Sequence, residues 1–290
     1  MKKYVAAVLC GGFGWGFMGF FVRHLAEFGI DSNEAVIVRC GIAAVCFGIL
    51  ILCTDPGQFR VRIKDIWCFF GTGVMSLLFF TYCYFNAIKI LDLSVAAILL
   101  YTAPTIVMIL SVILFREKLT WVKIAAVILA FAGCCLVSGI GTGTVLTFKG
   151  LLLGLGAGFG YALYTIFSRY ALQRGYSSST INFYSCLLAA IGAFIIWKPH
   201  GLFRAMTASP SAAAWCLATG VVSCFLPYML YTYSLTGLEN SRASVLASVE
   251  PVVASLTGII AYHEKLTVPA AIGILLVLSA ILLLNRRQDT

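Results

Sequence analysis

The fold is decided by a stretch that the chain contains twice. Residues 104–120 read PTIVMILSVILFREKLT, and residues 251–267, which lie 147 positions later, read PVVASLTGIIAYHEKLT. Both copies place the motif Glu-Lys-Leu-Thr at the same distance after a proline, at Glu117–Thr120 and at Glu264–Thr267. A proline and a four-residue motif that recur at one fixed offset indicate an internal duplication.

The correspondence extends upstream of the proline in both copies. At the same offset, Leu91, Ser94, Ala96 and Leu99 recur as Leu238, Ser241, Ala243 and Leu246, and Tyr84 recurs as Tyr231. Near the start of each copy, Phe13-Gly14 and Arg23 recur as Phe159-Gly160 and Arg169 with a slip of one residue. We therefore predict two repeats, residues 1–143 and residues 144–290.

The composition assigns this duplication to a membrane. Hydrophobic residues make up 61% of the chain and charged residues 11%, whereas soluble domains carry about 25% charged residues. The mean hydropathy is +0.99. No polar stretch is long enough for a separate soluble domain. The 11 cysteines form no Cys-x-x-Cys pair and no cluster with metal spacing, so we expect no cofactor and no metal.

Ten apolar segments are long enough to cross a bilayer, which takes about 20 helical residues. Turn-forming residues such as Asp55-Pro56-Gly57 separate them. The predicted spans are Tyr4–Phe28, Ala35–Cys53, Ile66–Ile88, Val95–Phe115, Val122–Val137, Gly150–Tyr170, Ile181–Trp197, Ala212–Leu235, Ala243–Tyr262 and Val268–Leu284. The predicted fold is all-α, a polytopic membrane protein with five spans in each repeat.

The distribution of Lys and Arg predicts the orientation. With the N-terminus in the cytoplasm, 13 of the 20 basic residues lie on the cytoplasmic side and 7 lie outside. Because cytoplasmic loops are enriched in Lys and Arg, both termini are predicted to be cytoplasmic. Each repeat has an odd number of spans, so the repeats are inverted relative to each other. Transporters of this architecture bind their solute near the midplane between the repeats.

Aromatic and polar side chains recur at helical spacing within several spans. Phe79, Tyr82 and Asn86 are spaced i, i+3, i+7, as one face of a helix requires. A cavity lined by aromatic rings and a few hydroxyls suits an amphipathic solute. The alternative is ordinary helix packing with satisfied hydroxyls. The candidate substrate-binding residues are Trp15, Phe79, Tyr82, Asn86, Tyr101, Pro104, Tyr161, Tyr164, Tyr231 and Glu250.

Glu250 is the one carboxylate deep within a predicted span, and its repeat counterpart is Ala103. An ionisable group inside a membrane is costly, so it is a candidate for function. Loss of water favours the neutral form of a carboxyl group, which would let this one exchange protons. A structural carboxyl is the alternative. Arg39 is either its partner or a side chain that extends to the outer interface, and the sequence favours the second.

These residues carry a resemblance to a known family. The chain resembles the EamA-type transporters of the drug/metabolite transporter superfamily, in which two five-helix repeats form ten spans. The matching features run along nearly the whole chain: Gly14-Trp15-Gly16, Arg39 with Ala43 and Ala44, Asn86-Ala87-Ile88-Lys89, Pro104, Glu117, Glu250-Pro251 and Glu264. The resemblance implies export or exchange of small metabolites such as amino acids. It also makes Tyr82 and Tyr101 the strongest candidates for substrate contact.

The predicted function is secondary transport of a small organic metabolite by alternating access across the cell (cytoplasmic) membrane. No Walker A motif supports ATP-driven transport, and no clustered catalytic set suggests an enzyme. The expected partners are the solute and the lipid bilayer, without nucleic acid; a homodimer stays open. The alternatives are a carrier of nucleotide sugars or organophosphates, which would need basic residues in its cavity, and a non-transporting membrane scaffold.

Overall fold

The computed structural model describes residues 1–139, 147–199, 201–263 and 265–286. Within these residues the chain is helical and contains no strand. Ten helical spans follow one another: α1 Lys2–Glu27, α2 Ser32–Thr54, α3 Ile63–Ala87, α4 Leu93–Phe115, α5 Trp121–Ser138, α6 Phe148–Gln173, α7 Ser178–Trp197, α8 Pro210–Ser234, α9 Asn240–Tyr262 and α10 Val268–Arg286. The predicted ten-span, all-α fold is confirmed.

Short polar caps start several of these spans. Asp31 accepts a hydrogen bond from the Glu34 amide at 2.8 Å, and Glu34 completes the capping box. Thr120 accepts from the Lys123 amide, and Thr267 accepts from the Ala270 amide, both at 3.3 Å. The two threonines of the repeated Glu-Lys-Leu-Thr motif therefore act as N-caps.

Five spans depart from a continuous α-helix. Helix α1 is interrupted at Phe17, α4 at Tyr101-Thr102 and α9 at Ser248. Helices α3 and α8 contain π-helical turns. Helix α1 consists of Lys2–Gly16 and Met18–Glu27, α4 of Leu93–Leu100 and Ala103–Phe115, and α9 of Asn240–Ala247 and Val249–Tyr262. Helix α3 consists of Ile63–Asp65, Ile66–Phe70, Gly71–Leu78 and Phe79–Ala87. Helix α8 consists of Pro210–Gly220, Val221–Phe225 and Leu226–Ser234. Short helices at Pro56–Phe59 and Leu202–Ala208 lie between spans.

The departures in α4 and α9 have the same cause. A proline lies in the first turn after each break, Pro104 in α4 and Pro251 in α9. Proline lacks an amide hydrogen and clashes with the carbonyl four residues earlier, so each proline interrupts the ladder near mid-span. Such an opening is tolerated in a membrane where it faces protein or water. Both repeats therefore contain a helix that is broken near mid-span beside a proline.

The packing of the spans follows a pseudo-twofold pattern. Helix α1 packs on α8 and α9 of the second repeat, while α6 packs on α3 and α4 of the first. Helix α2 packs on α7, and α5 packs on α10. Exchanging each span for its counterpart in the other repeat converts the contacts of α1 with α8 and α9 into the contacts of α6 with α3 and α4. This relation is what two fused copies with opposite orientations produce.

Two glycines allow neighbouring spans to approach the breaks in α4 and α9. A Cβ atom at Gly158 in α6 would lie 2.9 Å from the Leu99 carbonyl, at the break of α4. A Cβ atom at Gly12 in α1 would lie 3.1 Å from the Ala247 carbonyl, at the break of α9. Small residues let helix backbones approach in a membrane. Each repeat thus contributes one glycine-rich helix that supports the broken helix of the other.

An even number of spans brings the start of α1 and the end of α10 to the same end of the bundle, which we call the terminal face. The other end is the opposite face. The predicted repeat boundary after residue 143 falls in residues 140–146, outside the described residues, and it stays a prediction. Glu264 and the final residues 287–290 also lie outside them.

Candidate functional site

A cavity of about 600 Å³ lies between the two repeats. Spans α1 to α6, α8 and α9 all contribute to its wall. Exposed Ser32 and Leu93, at the opposite-face ends of α2 and α4, lie on its rim. Tyr161 and Glu250 lie deeper, near the middle of α6 and α9. The cavity therefore reaches the opposite face and ends near mid-span.

The floor of the cavity is a cluster of aromatic rings around Trp15. The indole of Trp15 is buried, and its centroid lies 6.3 Å from the Tyr161 ring, 5.1 Å from Tyr228 and 5.3 Å from Tyr231. Rings at these separations and at tilted or edge-on angles contribute favourable contacts beyond their burial. The cluster joins α1 and α6 to α8 and gives the floor a rigid apolar surface.

A buried hydrogen-bond layer supports this floor from below. The Tyr164 hydroxyl lies 2.8 Å from the Thr232 hydroxyl and also donates to Asn182 Oδ1. The Tyr231 and Thr165 hydroxyls lie 2.7 Å apart. Because buried polar groups require partners, these bonds fix the rotamers of both tyrosines. Tyr164 and Tyr231 line a small void beneath the cavity and support the residues that face it.

Glu250 lies on the cavity wall directly after the break in α9. The Tyr161 hydroxyl donates to its Oε2 atom at 3.3 Å. Its carbonyl lies against α1, where a Cβ atom at Gly16 would approach within 2.9 Å of it. The break aims the carboxyl group toward the centre of the bundle, and Gly16 lets the helix come close enough for that. Glu250 is only partly buried, so solvent in the cavity reaches it.

Arg39 does not extend to the outer interface as the sequence favoured. Its side chain is 4% exposed, and it lies in the wall of the cavity that also contains Glu250. Its guanidinium donates to the Met18 thioether. The reason for the difference is position: Arg39 lies two turns inside α2, where the side chain points into the bundle rather than along the lipid surface. The helix rotation that decides this cannot be read from one span alone.

The structure brings six of the ten candidate residues together around this cavity, and a seventh directly behind it. Trp15, Tyr101, Tyr161 and Glu250 line the cavity itself, and Tyr164 and Tyr231 form the layer below. Pro104 borders a second small void behind Tyr101, Tyr161 and Glu250. It acts on the site through the break in α4.

The other three candidates, all on α3, lie outside the cavity. Phe79 and Tyr82 are 41% and 46% exposed on the outer surface of the bundle. Asn86 donates its side-chain amide to the Tyr82 carbonyl. The neighbouring face of α3 lines the cavity instead, with Phe80, Thr81 and Tyr84. The spacing predicts that the three residues share one face of α3, but in the structure it is the neighbouring face that points into the cavity.

Several cavity residues escaped the sequence reasoning. Tyr84, Tyr228 and Ser94 line the cavity, yet none was among the candidates. Tyr84 is the repeat counterpart of Tyr231, which was chosen, so the duplication itself contained the signal. Tyr228 follows Pro227 in α8 and had no distinguishing spacing. Among the described residues, no three His, Cys, Asp or Glu side chains lie close enough to hold a metal ion.

The terminal face is closed by bonds between the two repeats. Glu117, just after α4, accepts from the Asn240 amide at 2.6 Å and the Ser241 amide at 3.3 Å, and also from the Ser241 hydroxyl. A carboxylate at the N-terminus of α9 accepts hydrogen bonds from amides that have no partner within the helix, and its negative charge interacts favourably with the helix dipole. Glu117 therefore joins the end of α4 to the start of α9.

Two cations complete this closure. Lys123 in α5 lies 2.6 Å from a carboxylate oxygen of Glu239. Arg169 in α6 donates to Asn240 Oδ1 and to the Leu235 carbonyl, both at 2.6 Å. The bond of Lys123 joins the two repeats, whereas the bonds of Arg169 hold the loop between α8 and α9 within the second repeat. The cavity is therefore open toward one face and sealed at the other.

Comparison with known proteins agrees with this architecture. The EamA-like transporter family matches residues 2–139 and residues 148–286, one copy in each repeat. An uncharacterised transporter of Archaeoglobus fulgidus is 28% identical over 289 residues, which cover 99% of this chain and 100% of that protein. The threonine/homoserine exporter RhtA of Escherichia coli is 28% identical over 237 residues, 78% of this chain and 75% of RhtA.

A solved crystal structure shares the fold, with a TM-score of 0.84 at 16% identity, and the match covers 100% of both chains. The twofold family match, the ten helical spans and the cavity between the repeats all point the same way. The chain is a multi-pass membrane protein and belongs to the EamA-like transporter family.

Proposed function

We propose that the protein is a secondary transporter that moves a small organic metabolite, such as an amino acid, by alternating access. The observation that carries this proposal is the cavity of about 600 Å³ between the repeats, open toward one face and closed at the other by Glu117, Lys123 and Arg169. Its volume suits a small solute. Rocking of one repeat against the other would expose the same residues to the other side.

The distribution of charge supports the proposed orientation, and the family supports the proposed direction. The excess of Lys and Arg on one side of the membrane supports a cytoplasmic terminal face. The cavity then opens toward the outside of the cell membrane in this conformation. Export or exchange fits the family resemblance, and the RhtA relative is named as an exporter of threonine and homoserine. We extend the amino-acid class, without the particular compound, to this chain.

Glu250 is proposed to couple the cycle to protons. It faces water in the open cavity and would lose that water when the cavity closes, which favours its neutral form. Each cycle would then bind and release one proton at this carboxyl group. The titratable and charged groups whose fields act on it or that share its surroundings are Tyr84, Tyr101, Cys134, Tyr161 and Arg39.

A second candidate function gains support from the structure. Carriers of nucleotide sugars or organophosphates need cationic groups in the cavity, and Arg39 lies in the cavity wall here. Glu250 in the same wall argues against it, because a multiply charged phosphate would be repelled by an ionised carboxylate. A non-transporting scaffold would not require an open cavity of this size.

Solute flux in proteoliposomes tests the proposal. Purified protein is reconstituted in vesicles preloaded with unlabelled L-amino acids, and counterflow of each radiolabelled amino acid is measured beside sn-glycerol 3-phosphate and UDP-glucose. We expect at least one amino acid to accumulate above the level in protein-free vesicles. Accumulation of the phosphate compounds alone would favour the organophosphate carrier. If none of the compounds moves, the transport proposal is wrong.

A further inference from the structure

Arg39 is a buried cation that forms no ion pair with any carboxylate of the described residues. Its side chain is 4% exposed, and its Nε atom is buried without a hydrogen-bond partner. The ion pairs among the described residues join Lys123 to Glu239 and to Glu117, and Arg174 to Asp65; none includes Arg39. Its guanidinium donates to the neutral Met18 thioether, and Tyr228 shares the cavity wall with it.

Such an arrangement is unfavourable for the empty protein. A guanidinium taken out of water loses its hydration, and only a well-placed anion with hydrogen bonds restores that energy. A thioether is a weak acceptor, and the Nε–H donor of Arg39 has no partner at all. An unpaired buried donor in the wall of a ligand-sized cavity is expected where the ligand supplies the acceptor.

The wall of the cavity also contains the complementary charge. Glu250 is the only carboxylate among the described residues that line the cavity. Its carboxylate accepts a hydrogen bond from Tyr161 and forms no ion pair with Arg39, because no oxygen of Glu250 lies within 4.0 Å of a guanidinium nitrogen. The cavity therefore has a cationic pole on α2 and an acidic pole on α9, with the Trp15 ring cluster on its floor.

We infer that Arg39 is the anion-recognition group of this cavity and that the solute is a small zwitterion, whose carboxylate binds Arg39 while its ammonium group lies toward Glu250. A planar guanidinium matches a carboxylate with two parallel hydrogen bonds. The aromatic floor would receive the apolar part of the solute. This inference rests on the proposed transport function and narrows its substrate class.

A phosphate monoester shares the anionic chemistry and would also bind an arginine. The geometry favours the carboxylate, because the Glu250 carboxyl group lies in the same cavity and would repel a doubly charged phosphate. The other arginine of the wall, Arg23, lies over the Tyr262 ring, 4.3 Å from its centroid. A zwitterion satisfies both poles with no net charge. A doubly charged phosphate would leave one charge unpaired in a site of low polarity.

The test compares matched probes on the purified, detergent-solubilised protein. Each common L-amino acid is offered beside its carboxamide, which keeps the ammonium group and side chain but lacks the carboxylate, and sn-glycerol 3-phosphate forms a third arm. Binding is read as a rise in thermal stability. We expect at least one amino acid to stabilise the protein, while its carboxamide binds at least about tenfold more weakly, as loss of hydrogen bonds to a charged group predicts.

Two variants and one control assign the effect to Arg39. Arg39→Gln should weaken binding of the stabilising amino acid at least about tenfold, and Arg39→Lys should recover part of the loss because it keeps the charge. Arg60→Gln changes an exposed arginine in the loop after α2 and should bind as the wild type does. Without ligand, Arg39→Gln should unfold at the same or a higher temperature, because it removes an unpaired buried charge.

The outcomes separate this inference from the transport proposal. Equal binding of acid and carboxamide, or unchanged binding by Arg39→Gln, overturns the inference even if counterflow is observed. A lower unfolding temperature of unliganded Arg39→Gln would instead make Arg39 a structural residue. If only sn-glycerol 3-phosphate stabilises the protein, the inferred zwitterion is wrong and the anion that Arg39 binds is a phosphate. Binding that depends on Arg39 without any flux leaves the inference standing and overturns transport.

Discussion

Glu250 shows how one residue acquires its setting from the backbone around it. The carboxyl group projects from the first turn after the break in α9, which Pro251 enforces, and Tyr161 is its hydrogen-bond donor. Ala103 occupies the corresponding position after the break in α4. The two repeats therefore use the same broken helix, and only the second one carries an acid into the cavity. This asymmetry is what a single coupling site needs.

Replacing Glu250 with Gln should abolish the response of transport to a pH gradient. Glutamine keeps the shape and the hydrogen bond with Tyr161 but fixes the charge at zero, so the cycle can no longer bind and release a proton there. Flux of a carried amino acid is measured in proteoliposomes with and without an imposed gradient. Wild-type flux that ignores the gradient, or a Gln variant that still follows it, would make Glu250 a structural acid.

Tyr101 and Tyr82 form a matched pair for testing the cavity. Tyr101 lines the cavity, whereas Tyr82 lies on the outer surface of α3. Tyr101→Ala should weaken solute binding by about 1 kcal/mol, or about fivefold, because a ring that contacts the ligand is lost. Tyr82→Ala should bind normally. Ligand binding by both variants is measured by thermal shift. Weaker binding by Tyr82→Ala with normal binding by Tyr101→Ala would place the site on the lipid-facing side of α3.

The elements show which parts of the structure a sequence can predict. Ten apolar runs, the breaks at Pro104 and Pro251 and the caps at Thr120 and Thr267 follow from local chemistry, and the structure contains them all. The rotation of each helix about its own axis does not follow from local chemistry. The π-helical turns of α3 and the inward direction of Arg39 are set by the packing of neighbours, so Phe79, Tyr82 and Asn86 lie outside the cavity.

Gly158 tests the contact between α6 and the broken helix α4. An added methyl group would lie 2.6 Å from Thr102 Oγ1 and 2.9 Å from the Leu99 carbonyl, which is backbone and cannot turn away. We expect Gly158→Ala to destabilise the fold by about 1–3 kcal/mol, as overpacking does. The measurement is thermal unfolding of the purified variant.

Gly41→Ala is the control for this prediction. Gly41 also lies within a span, but a Cβ atom there meets nothing within 4 Å. Alanine is the better helix former, so this variant should be as stable as the wild type or more stable. Equal stability of both variants would mean that the close approach of α6 to α4 is not needed by the fold.

At the scale of the whole molecule, the two ends of the bundle differ, since one is sealed and the other is open. The terminal face is sealed where Glu117 holds the start of α9, while Ser94, the repeat counterpart of Ser241, lines the open cavity. Identical architecture in two opposite orientations with one face sealed is the form that an alternating-access carrier takes in one of its two end states. The other end state requires the Glu117 contacts to release.

The central claim is that opening one face closes the other, and cysteine labelling tests it most directly. Reporters Ser94→Cys and Ser244→Cys are placed in a cysteine-free background, since native Cys10 and Cys53 are exposed. Ser244 borders the small void on the terminal side of Glu250 and is 4% exposed. Glu117→Gln is then introduced to weaken the seal, and membrane-impermeant maleimides are applied from each side.

The account predicts a reciprocal result. Glu117→Gln should raise the labelling rate of Ser244→Cys from the terminal face and lower the rate of Ser94→Cys from the opposite face, because the population moves from one end state to the other. Glu27→Gln, an exposed acid at the opposite face, should change neither rate. Faster labelling of Ser244→Cys with no change at Ser94→Cys would show local loosening and would contradict alternating access.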